Sequence, residues 1–137
     1  MDIKPSSKGF QTYQLQVDSY LNQAGAVQNT WYTVLDTTLD VILYFAMFLC
    51  TVANETVEFR WTVDGNVYVG TRDAVFGTFY YAYKNPGNGT TLNTDTDIIM
   101  GMRFSPLYAQ SLKIEIRKTT NAGASALQSR ITYGKLV

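Results

Sequence analysis

Residues 56–65 read TVEFRWTVDG, and the fold follows from how that stretch alternates. Val57, Phe59, Trp61 and Val63 take every second place, with Thr56, Glu58, Arg60 and Thr62 between them. Successive side chains of a β-strand point to opposite faces of a sheet, so this pattern predicts a strand with one wet and one buried face. Asp64-Gly65 then supplies residues that tolerate the positive φ of a type I′ hairpin turn, and residues 66–69 are expected to return as the antiparallel neighbour.

The same alternation recurs at Tyr13, Leu15 and Val17. It appears again at Leu112, Ile114 and Ile116, set against Ser111, Lys113, Glu115 and Arg117, and at Ile131 and Tyr133 within residues 127–137. Residues 31–35 and 39–50 are expected to form an early strand pair, and 75–83 and 98–104 are further strand candidates. Residues 22–25, 53–55, 70–73, 85–89 and 121–123 carry the Gly, Asn, Asp and Pro content of turns, and one short helix or turn is expected within 18–29. About eight strands with regularly spaced turns predict an all-β chain, an antiparallel two-sheet β-sandwich of jelly-roll type. The chain's 137 residues suit one domain. Residues 1–9 are expected to form a polar N-terminal arm and 10–137 the single β-sandwich domain.

Val41–Cys50, VILYFAMFLC, is apolar on both faces. It falls well short of the roughly 18 residues a membrane-spanning helix needs, so it is expected to be a central strand, enclosed by the core or covered by a neighbouring subunit. Residues 1–9 also lack the apolar region of a secretory signal.

Eleven basic and eleven acidic side chains cancel, and only 16% of residues are charged. No basic run exists to displace counterions from nucleic acid or to hold an anionic membrane, so neither partner is expected. The single cysteine, Cys50, ends an apolar run and is expected to be a buried thiol. There is no histidine, which removes the commonest general base and excludes Ser-His-Asp, Cys-His and HExxH chemistry. Only a carboxylate mechanism survives, and Glu58 and Glu115, the acids available for it, sit on polar strand faces where a solvated charge is the ordinary reading. The chain is expected not to be an enzyme and to need no cofactor.

Two stretches invite a binding reading. In FGTFYYAYKNPGNG, residues 76–89, the rings of Tyr80, Tyr81 and Tyr83 beside Asn85 and Asn88 would suit a sugar or host receptor, although cross-strand aromatic packing explains them more simply. In NTDTD, residues 93–97, Asn93, Asp95 and Asp97 are spaced like the start of a calcium loop, but Ile98 stands where the turn glycine belongs and Phe104 where the bidentate glutamate belongs. An Asx-rich turn is the expectation there. Asn54-Glu55-Thr56 and Asn88-Gly89-Thr90 match the short glycosylation acceptor pattern.

Four stretches resemble small structural proteins of tailed bacteriophages and related prophages: NTWYTVLDTT at 29–38, TVEFRWTVDGNVY at 56–68, MRFSPLYAQSLKIEIR at 102–117 and RITYGKLV at 130–137. The resemblance implies a β-sandwich virion module that decorates a capsid or builds a tail or fibre. Such a module is homo-oligomeric, commonly trimeric, and docks on other virion proteins without catalytic residues. The segment after the first Trp strand is often Gly-rich in those proteins, whereas here it is VILYFAMFLC.

Overall fold

The computed structural model describes residues 13–38, 40–50, 55–74, 78–84, 87, 89–96, 106–120 and 126–136. Ten strands run through them: β1 (Tyr13–Gln23), β2 (Tyr32–Thr37), β3 (Val41–Cys50), β4 (Glu55–Val63), β5 (Asn66–Ala74), β6 (Tyr80–Lys84), β7 (Leu92–Asp95), β8 (Leu107–Ala109), β9 (Leu112–Lys118) and β10 (Leu127–Leu136). Sheet A has the order β1-β10-β3-β6-β7, with β8 also on β3, and sheet B has the order β2-β9-β4-β5.

Among the described residues every pairing between these strands is antiparallel, with one isolated parallel bridge from Val69 to Thr91, and the pairs nest. β1 takes β10, β2 takes β9, β3 takes β8, and β4 takes β5. The chain is thus a long hairpin folded over on itself, which is the strand order of a jelly roll. The β6–β7 hairpin extends sheet A beyond β3.

The core lies between the sheets. β4 contributes Val57, Phe59, Trp61 and Val63, β9 contributes Leu112, Ile114 and Ile116, and β3 contributes Val41, Leu43, Ala46 and Phe48. Phe48 meets Phe59 across the sandwich at 5.1 Å between centroids and stacks on Tyr80 at 5.5 Å. Burying each such side chain contributes about 1.5–3 kcal/mol. Cys50 is buried, as its place at the end of an apolar run predicts.

The β4–β5 turn forms as the sequence predicts, with φ of 50° at Asp64 and 84° at Gly65. Asp64 also does something the turn does not require. Its Oδ1 accepts the backbone N–H groups of Gln110 and Ser111 at 2.7 and 2.9 Å, which ties the β8–β9 link to the hairpin.

Three expectations are corrected. β2 and β3 are not a pair, because β2 takes β9 in one sheet while β3 takes β10, β6 and β8 in the other. Residues 70–73 are not a turn but part of β5, because the ring of Phe59 packs directly on Gly70 and holds it in the sheet. Asn93 and Asp95 are not in an Asx turn but in β7, paired with Tyr83 and Tyr81. Residues 18–23 continue β1, and the turn expected within 18–29 falls at 24–25 and 28–29. Val34 and Leu35 are both buried because a register shift in the β2–β9 pairing makes Val34 an extra residue and breaks the alternation. The arm at 1–9, the strand at 98–104 and the turn at 121–123 lie outside the described residues.

Candidate functional site

The outer faces of the two sheets differ in chemistry. On sheet B, Arg60 stands opposite Glu115, and Glu58 opposite Arg117. Arg60 grips Glu115 with two bonds of 2.9 and 3.0 Å, and Arg117 Nη2 reaches both oxygens of Glu58 at 3.1 and 3.2 Å. The ring of Trp31 lies over both arginines, 4.1 Å from the guanidinium carbon of Arg60 and 4.4 Å from that of Arg117. Glu115, expected as a solvated charge, is only 6% exposed. Its neighbours on this face neutralise it and cover it. The centre of this face is thus two ion pairs capped by an indole.

Sheet A turns a different face outward. One row crosses the sheet in unbroken register: Tyr20, Arg130, Met47, Tyr81, Asp95. A second row places Asn22, Gln128 and Leu49 side by side. Phe45, Met47 and Leu49 are therefore the half-buried outer side of the apolar run, whose inner side is core. This explains why that strand is apolar on both faces. Tyr108, on β8 opposite Ile42, is 64% exposed.

At one end of this face is a groove of about 280 Å³, with Tyr20 and Phe79 among the residues around it and Asn22, Met47, Leu49, Gln128 and Arg130 also in its lining. Tyr20 is 66% exposed and Phe79 48%. Despite its exposure Tyr20 is tethered: its hydroxyl donates to Asp18 Oδ2 at 3.1 Å, and the Arg130 guanidinium lies 5.5 Å from its ring centroid. Asp18 also accepts from Thr132 Oγ1 at 2.8 Å and from Arg130 Nη2 at 2.9 Å. The bond from Thr132, then that from Arg130, outweigh partial burial and hold the Asp18 carboxyl below its ordinary value.

Of the aromatic surface expected at residues 80–88, Tyr80 is 1% exposed and lies in the core, with Phe48 stacked on it and the Arg72 guanidinium 4.8 Å from its ring. It therefore offers no surface to a ligand. Tyr81 and Tyr83 are half-buried on the outer side of β6. Asn85 and Asn88 lie outside the described residues, as does Asp97. Among the described residues no cluster of acids, Cys or His could hold a metal. Nor is any helix there long and apolar enough to cross a membrane. Phe79 lies within the aromatic stretch the sequence singled out, whereas Tyr20, also in the lining of the groove, was missed by the sequence reading. Tyr20 falls on the apolar-in, polar-out rhythm of β1 at an outward place, which was the available signal.

No family model matches the chain, and no curated protein is similar to it in sequence. Two solved structures align with it loosely. One comes from work on Bacillus endospore appendages, described as a family of disulfide-linked pili, with 12% identity, 100% of this chain and 99% of that chain covered, and a TM-score of 0.47. The other comes from the structure of infectious bursal disease virus, Gt strain, with 16% identity, 88% of this chain and 31% of that chain covered, and a TM-score of 0.37. Both fall below the overlap at which a likeness carries weight, so the jelly roll stands on the strand order itself.

Proposed function

We infer that this chain is a non-catalytic structural module that works by assembling with copies of itself through the outer face of sheet A. The observation that carries the reading is the contrast between the two faces. On sheet B the central charges, Arg60 with Glu115 and Arg117 with Glu58, pair with each other, while sheet A turns Phe45, Tyr81, Tyr83 and Tyr108 to its outer side. Apolar surface on an outer sheet face, with Tyr108 64% exposed and Phe45, Tyr81 and Tyr83 half-buried, is the kind that marks a contact site. Formal net charge is zero, and the described charges of this face include the Asp18–Arg130 ion pair, so two copies meet without repulsion.

Two further features support a role without turnover. There is no histidine, and Glu58 and Glu115, the acids that could serve a carboxylate mechanism, are each engaged by an arginine on the neighbouring strand. The finer setting, a capsid-decorating or minor virion module of a phage, forming a trimer and docking on other virion proteins, rests on the resemblance of the four sequence stretches. Light scattering during size-exclusion chromatography at micromolar concentration tests the assembly. A defined oligomer that falls to monomer in Tyr83→Ser/Tyr108→Ser supports the reading, and a wild-type monomer overturns it.

A further inference from the structure

The geometry points to a saccharide site in the groove near Tyr20 and Phe79: a neutral pyranose ring packs against an exposed aromatic ring while its hydroxyls bond the amides of Asn22 and Gln128. This goes beyond the assembly reading and does not rest on it, since Phe45, Tyr83 and Tyr108 are not among the groove's lining residues.

Three observations carry it. The first is rigidity. An exposed tyrosine ordinarily samples several rotamers and loses that freedom on binding, but Tyr20 is fixed through its hydroxyl by Asp18, which Arg130 and Thr132 hold in turn. A ring held in place before the ligand arrives spares that ordering cost. Residues on two paired strands, β1 and β10, hold it, so the platform belongs to the sheet rather than to a loop.

The second is chemistry. A pyranose has C–H faces that suit an aromatic surface and an equatorial rim of hydroxyls that both donate and accept. Asn22 and Gln128 stand in register beneath the groove and touch through a single contact, Gln128 Nε2 to Asn22 Oδ1 at 3.4 Å. Between them the two amides have two carbonyl acceptors and four N–H donors, so this one long contact leaves donors and acceptors for hydroxyls. A purely apolar side chain from a partner would leave those amides without new bonds when it displaced their water, which is unfavourable.

The third is charge. Arg130 and Asp18, at the groove's edge, neutralise each other across 2.9 Å. The groove therefore presents no net charge to a ligand, and a neutral polyol complements it better than a phosphate, a carboxylate or a charged peptide. Its volume, about 280 Å³, lies at the small end of ligand sites, which suits one or two sugar rings.

The test is saturation-transfer NMR on the full chain with lactose, cellobiose and chitobiose as probes, followed by titration of whichever binds. Binding of at least one probe, weakened about tenfold by Tyr20→Ala and by Phe79→Ala with circular dichroism unchanged, is the expected result. Tyr20→Phe keeps the ring and loses the Asp18 tether, so it should weaken binding less than Tyr20→Ala. Absence of transfer to all three probes overturns the proposal, as does binding that neither alanine variant alters. If those variants leave sugars unbound throughout but convert an oligomer to monomer, the groove belongs to a second copy and the saccharide site is refuted while the assembly reading stands.

Discussion

Gly70 lies directly under the ring of Phe59: a Cβ at position 70 would stand 2.3 Å from Phe59 Cε2 and 2.4 Å from Cζ, and 2.8 Å from the carbonyl oxygen of Leu92. Phe59 is itself buried against Phe48. The ring cannot move away without opening the core, and the carbonyl is backbone. Gly70→Ala should therefore destabilise the protein by about 3 kcal/mol, at the upper end of overpacking costs. Urea denaturation of Gly70→Ala, Phe59→Leu and the double variant should show costs that fall short of additive, because the smaller side chain relieves part of the clash. Fully additive costs would mean that the ring does not pack on Gly70.

Asp64 joins the β4–β5 hairpin to the β8–β9 link through one oxygen. Asp64→Ala removes the acceptor shared by the N–H groups of Gln110 and Ser111 and places a less tolerant residue at positive φ. The expected loss is about 2 kcal/mol, in the range of bonds to charged groups reduced for exposure. Asp64→Asn keeps an acceptor and tolerates that φ, so its loss should be about half as large. Equal losses in chemical denaturation would show that the carboxylate is not acting as the tie.

Trp31 caps two arginines at once. Each cation–π contact at a partly exposed site is worth about 0.5–1 kcal/mol, so Trp31→Ala should cost about 1–2 kcal/mol. Double-mutant cycles pairing it with Arg60→Met and with Arg117→Met should each give a coupling of about 0.5 kcal/mol or more. A coupling near zero in both cycles would reduce the indole to a bystander.

Acid should loosen the seam between β1 and β10. The folded-state pKa of Asp18 is depressed below its ordinary 3.8 by the bonds from Thr132 and Arg130. A depressed carboxylate contributes stability that is fully present above the unfolded-state value and is lost as pH falls through the folded-state one. The stability difference between wild type and Asp18→Asn should therefore be constant at neutral pH and shrink as pH falls below about 4. Denaturation midpoints at several pH values measure this, and a difference that persists unchanged at the lowest pH would contradict it.

Much of the fold was legible in local sequence. The alternation at residues 56–63 is the burial pattern of β4, and Asp64-Gly65 is the turn it resembles, because both depend on neighbours in the chain. The misreadings came where a distant partner overrode the local preference. Gly70 to Asp73 has turn composition, but Phe59 and the pairing with β4 keep it extended. Asn93 to Asp95 has Asx-turn composition, but β6 offers an open edge that recruits it as a strand. The candidate site was less legible still. Tyr80 and Tyr81 are adjacent and chemically identical, yet one is core and the other faces outward, and Tyr20 meets the groove only because β1 pairs with β10, more than a hundred residues later.

By itself the sequence determined that this is an all-β chain with two kinds of strand face, since side-chain period is a property of each strand alone. Tertiary structure decided which strands are neighbours, and with that the joining of Tyr20, Arg130 and Met47 into one surface and the burial of Glu115 in its ion pair with Arg60. The physical reason is that periodicity is written residue by residue, whereas strand order is selected by the total burial and hydrogen bonding of the closed sandwich, to which both ends of the chain contribute at once.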